Sequence, residues 1–69
     1  MFGDIIKKVR KQLGITQEQL ARELDISFST INRWENGHTS PSKLARRRLL
    51  EFCSNKNLDT SVISELEEL

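Results

Sequence analysis

The stretch Thr16-Gln17-Glu18-Gln19-Leu20-Ala21-Arg22-Glu23-Leu24-Asp25-Ile26-Ser27-Phe28-Ser29-Thr30-Ile31-Asn32-Arg33-Trp34-Glu35-Asn36-Gly37 decides the fold. Thr16 followed three residues later by Gln19 has the spacing of a capping box, in which each side chain satisfies the other residue's backbone N–H, so a helix opens there. Leu20, Ala21 and Leu24 then form one apolar stripe along it. Asp25 and Ile26 interrupt the pattern before Ser27, a good N-cap, opens a second helix that runs to about Asn36 with Ile31 and Trp34 on its inward face. A linker of only about three residues forces a tight, roughly perpendicular pair, and the small Ala21 lets the two helices cross closely.

On the N-terminal side Phe2, Ile6, Val9 and Leu13 recur at helical spacing and Gly14 supplies a stop, which predicts a helix over about 2–13. On the C-terminal side His38, Thr39, Ser40 and Pro41 make a loop. Either Ser40, with Pro41 at the first helical position, or Ser42 caps the next helix, which runs through about Cys53 with Ala45, Leu49, Phe52 and Cys53 inward. After the polar break at Ser54-Asn55-Lys56-Asn57, the residues Leu58, Val62, Ile63, Leu66 and Leu69 predict a short acidic fifth helix, whose apolar stripe should pack on the body or mediate a dimer. The expectation is an all-α fold, a compact bundle of four to five short helices, with residues 1–57 as the main domain and 58–69 as an acidic helix or tail.

Sixty-nine residues allow one domain with one small core. A lone Cys53 closes no internal disulfide, and no Cys and His spacing suits zinc, so no metal or cofactor is expected. The N-terminus has no signal-peptide layout and no apolar run approaches the roughly 18 residues that span a bilayer, so the expected setting is cytoplasmic, with no membrane partner. Net charge is only +1, yet residues 1–57 carry +5 and residues 58–69 carry −4. A basic body of this kind attracts a polyanion. No Gly-rich phosphate loop or catalytic constellation is present, so the chain does not read as an enzyme.

Thr16-Gln17-Glu18-Gln19-Leu20-Ala21, Ile26-Ser27, Thr30-Ile31, Arg33-Trp34-Glu35-Asn36-Gly37 and Pro41-Ser42 together resemble the phage repressor and Cro-type helix-turn-helix family, ungapped from Gly3 to about Ser42. The resemblance implies a prokaryotic or phage transcriptional regulator, a repressor by expectation, whose third helix lies in the major groove of double-stranded DNA. Asp25 stands where the family usually has Gly at the turn; Asp tolerates a positive φ better than most residues. Phe28 stands where many relatives carry a polar base-reading residue.

Helical geometry sorts the third helix independently of family: Phe28, Ser29, Asn32, Arg33 and Asn36 point out or sit at the edge. Arg33 suits guanine O6 and N7, Asn32 suits adenine N6 and N7, Ser29 suits either, and Phe28 either rests against a thymine methyl or covers the core edge. The helix N-terminus at Thr16 and Gln17 offers N–H groups to a phosphate, and the resemblance singles out Gln17 for that contact. Asn36, His38, Thr39, Ser40 and the Lys43 and Arg47 pair are the remaining phosphate candidates. Trp34 reads as core rather than as a stacking platform.

Two charges fall in apolar surroundings: Arg10 between Ile6 and Leu13, and Glu35 four residues after Ile31 beside Trp34. Neither is tolerated there without a partner, so the two should pair with each other, as the matching positions do in the family. One small module buries roughly 600 to 1,000 Å² on DNA, so a homodimer on a two-fold operator is expected. The alternative is a protein-interaction module or antitoxin component, partnered by a toxin or other protein, that uses the same fold.

Overall fold

The computed structural model describes residues 2–68, so Leu69, the last member of the expected apolar stripe, lies outside the described residues. Five helices follow one another: α1 (Phe2–Leu13), α2 (Gln17–Leu24), α3 (Phe28–Glu35), α4 (Lys43–Ser54) and α5 (Thr60–Glu67), with no strand among the described residues. The fold is all-α. Among the described residues no helix is long and apolar enough to cross a membrane.

Three helices end in the same way. After α1, Gly14 takes φ +66°, its N–H reaches Lys11 O and the next N–H, of Ile15, reaches Arg10 O. After α2, Asp25 takes φ +56°, with Asp25 N donating to Arg22 O and Ile26 N to Ala21 O. After α3, Gly37 takes φ +76°, with Gly37 N donating to Trp34 O and His38 N to Arg33 O. Each is a Schellman closure, in which one left-handed residue lets two N–H groups turn back onto the last carbonyls. Asp25 therefore holds the left-handed turn that the resemblance assigns to Gly.

The starts are equally specified. Thr16 and Gln19 form the reciprocal capping box, Thr16 N to Gln19 Oε1 at 2.8 Å and Gln19 N to Thr16 Oγ1 at 3.1 Å. Ser27 Oγ accepts from Thr30 N at 3.2 Å. Of the two possible caps for α4 it is Ser42 that acts, its Oγ accepting from Ala45 N at 3.2 Å. The fifth helix begins at Thr60, leaving Leu58 before it. Asp59 flanks it without capping it: the carboxylate instead accepts from Gln12 Nε2 at 2.9 Å, and Asp59 N donates to Gln12 Oε1 at 3.1 Å.

The core gathers Ile5, Ile6 and Val9 of α1, Leu20, Ala21 and Leu24 of α2, Ile31 and Trp34 of α3, Leu49 and Cys53 of α4, and Val62 and Leu66 of α5. α5 is thus packed on the body, against α1 and α4, with Lys8 and Glu65 adding an exposed ion pair. Phe52, expected inward, is only half-buried at the edge of the core, while Cys53 beside it in sequence is fully buried. The Cys53 thiol is fully buried, and that burial pushes its pKa up to about 11. At the other end α1 meets α3: Phe2 packs edge-on against Trp34 with ring centroids 5.7 Å apart.

Candidate nucleic-acid interface

The start of α2 and the outer face of α3 lie side by side, since Asn32 Nδ2 donates to Gln17 Oε1 at 3.3 Å. One turn further on, Asn36 Nδ2 donates to Asn32 Oδ1 at 3.0 Å. Three of the residues singled out from sequence are therefore joined in one chain of side-chain amides. Phe28, at 51% exposure, and the exposed Ser29 and Arg33 lie on the same outward face of α3, while Asn32 is half-buried beneath its two amide neighbours. Thr16 spends its hydroxyl and its own N–H on the capping box, which leaves the N–H groups of Gln17 and Glu18 as the open donors at the positive end of α2.

Beneath this surface Arg10 grips Glu35 with two hydrogen bonds, Nε to Oε2 at 2.5 Å and Nη2 to Oε1 at 2.8 Å, while its Nη1 donates to Ile15 O at 3.3 Å. The Glu35 side chain is only 2% exposed and that of Arg10 24%. Burial alone would raise the pKa of the carboxyl. Hydrogen bonding from Arg10 and Gln17, with the charges of Arg10 and Lys7, outweighs it and holds Glu35 below the usual range. The hydrogen bond to Glu35 correspondingly raises Arg10, against the opposing effect of its own burial.

The other phosphate candidates sit apart from the amide chain. His38, Thr39 and Ser40 are exposed in the loop after α3, whose start is fixed by the His38 N–H bond to Arg33 O at 2.9 Å. Lys43 and Arg47 are exposed on α4 and line a shallow groove with Arg46, Leu50 and, from α5, Leu66 and Glu67. An acidic residue of the last helix therefore shares their groove, a proximity that helical spacing within α4 does not reveal. Sequence reading also passed over Gly3, where an added Cβ would stand 2.7 Å from both Trp34 O and Glu35 O. That glycine lets α1 approach the end of α3; an isolated Gly in an otherwise regular helix was the available signal.

Residues 6–54 match the helix-turn-helix family model. The chain belongs to the helix-turn-helix family. DNA binding in transcription regulation is the function that goes with this membership. Three relatives share this helix-turn-helix unit. An uncharacterized HTH-type transcriptional regulator of Methanothermobacter thermautotrophicus is 33% identical over 55 residues, covering 80% of each chain. The HTH-type transcriptional activator BcrR of Enterococcus faecalis is 32% identical over 53 residues, 77% of this chain and 26% of the relative. The type II methyltransferase M1.ScrFI of Lactococcus lactis subsp. cremoris is 43% identical over 51 residues, 70% of this chain but 13% of the relative. The chain thus spans a small part of two of these relatives and most of the third. No solved structure matches.

Proposed function

We propose that this helix-turn-helix domain binds double-stranded DNA in a sequence-dependent way, with α3 in the major groove and the start of α2 on a phosphate. The observation that carries this reading is the juxtaposition of Gln17 with Asn32: the open N–H groups of α2 and the outward face of α3 address one duplex together. Arg33 reads guanine, Asn32 adenine, Ser29 either, and Phe28 packs on a thymine methyl. Gln17, Asn36, His38, Thr39, Ser40, Lys43 and Arg47 hold the backbone on either side, while Thr16, committed to the capping box, only shapes the helix start. Regulation is by repression, since occupancy of an operator requires no surface beyond the DNA contact. A homodimer on a two-fold operator places the two α3 helices about 34 Å apart.

The test is fluorescence anisotropy with nonspecific duplex DNA at two salt concentrations. Binding that weakens steeply with salt is the expected result, because displaced counterions oppose association. A flat or absent response overturns the reading and favours the interaction module, in which the same fold meets a toxin or other protein. The likeness to a methyltransferase supports the DNA-binding module alone. We propose no transfer chemistry for these residues.

A further inference from the structure

A phenyl ring makes no conventional hydrogen bond, so on the face of α3 assigned to the major groove it gains only from contact with something apolar. Phe28 is 51% exposed; Leu44, on α4, is the other large apolar side chain left exposed among the described residues. The core edge just before α3 is taken by Ile26, which is half-buried against the core. The turn that carries the ring is held in place, since Ser27 Oγ accepts from Thr30 N at 3.2 Å and lies 2.8 Å from Thr30 Oγ1. An open ring on a fixed turn is presented for contact.

Of the groups that base pairs display in the major groove, the C5-methyl of thymine is the apolar one. Cytosine methylated at C5 displays the same methyl at the same ring position, beside an amino group where thymine has a carbonyl. Ser29, the next residue and also exposed, does not separate the two, because a hydroxyl donates to a carbonyl and accepts from an amino group. We propose that Phe28 forms a reading site for the pyrimidine C5-methyl group, so that 5-methylcytosine substitutes for thymine there and cytosine methylation raises occupancy of the site. The inference rests on the DNA binding through α3 proposed above and deepens it. Unmethylated cytosine leaves the ring against its amino edge, whose water the ring displaces without replacing.

Sites selected from random duplexes by the wild type and by Phe28→Ala should differ at one thymine of each half-site. Because the ring is exposed, the variant should melt like the wild type. That thymine is then exchanged for uracil, cytosine or 5-methylcytosine, each paired with its complement, and affinities are compared by anisotropy. The wild type should bind thymine about 3- to 5-fold tighter than uracil, and 5-methylcytosine above cytosine by a like factor, the gain from enclosing one methyl. Phe28→Ala should bring both ratios to within about 1.5-fold of one. A thymine-over-uracil ratio that stands while the two cytosines bind alike confines the site to thymine and overturns the proposal. Ratios unchanged in Phe28→Ala trace the effect to DNA shape or another side chain and overturn it as well. So does a wild type blind to the methyl in both pairs, the result expected of a ring that serves a protein partner. In these three cases salt-dependent duplex binding stands; its absence overturns both readings.

Discussion

A Cβ added to Gly3 would press on two backbone carbonyls, Trp34 O and Glu35 O, which cannot swing aside as a side chain would. Replacing a helical Gly by Ala ordinarily gains about 1 kcal/mol, whereas overpacking a closed contact costs about 1 to 3 kcal/mol. The second effect should win, so Gly3→Ala is expected to lower stability in urea unfolding. The ion pair that ends at the same carbonyl-rich corner behaves differently. Arg10→Met strands the Glu35 charge and should cost about 3 to 5 kcal/mol, toward the lower end because the guanidinium keeps some water. Arg10→Met with Glu35→Leu should recover much of that loss; strictly additive losses would show no coupling between the sites. Acid titration gives an independent check. Glu35 has a depressed pKa in the folded state, so its contribution is present above the ordinary value of 4.5 and is lost as pH falls through the lower, folded one. Between pH 6 and 3 the wild type should therefore lose more stability than the double variant.

Asp25 is the one non-Gly residue of positive φ among the described residues, and it closes α2 where a carboxylate opposes the helix dipole. Asp25→Gly relieves both and should stabilise by up to about 1 kcal/mol, whereas a β-branched residue such as Val there should cost about 1 to 2 kcal/mol. Thermal melts of the two variants moving in the same direction would remove the strained-turn account. The helices themselves were legible because local chemistry dictates them: caps at Thr16 and Ser27, stops at Gly14 and Gly37, and stripes of Leu and Ile at helical spacing. The start of α4 was ambiguous, since Ser40 and Ser42 are both competent caps, and only the tertiary path selects Ser42. The start of α5 was misplaced by two residues because Leu58 continues the apolar period while Asp59 is drawn to Gln12, a partner 47 positions away. Arg10 and Glu35 announced each other by being charged in apolar surroundings. The Gln17–Asn32–Asn36 chain did not, because polar residues on an exposed face give no sign of which neighbours they hold.

For the whole molecule, charge distribution and base reading make separable predictions. Arg33→Ala should cost about 1 to 3 kcal/mol on the best site and relax preference at one base position. Lys43→Ala should weaken specific and nonspecific binding alike and lower the salt slope by about one unit. Equal losses on every duplex for both variants would make Arg33 a positioning residue. Lys43 and Arg47 share their groove with Glu67, so the acidic last helix sits beside the cations assigned to phosphate.

Cys53, sealed between α4 and the rest of the core, has one more consequence. Its sulfur is neutral at physiological pH and wholly enclosed, so a thiol reagent reaches it only in molecules whose helices have come apart. For a stability of roughly 5 kcal/mol about one molecule in several thousand is open at any instant, and alkylation should be slowed by that ratio relative to a free cysteine. The rate of a single covalent event thus reports the folding equilibrium from within native solution. Comparing it with and without an operator duplex would measure, without denaturant or attached dye, how much bound DNA tightens the domain.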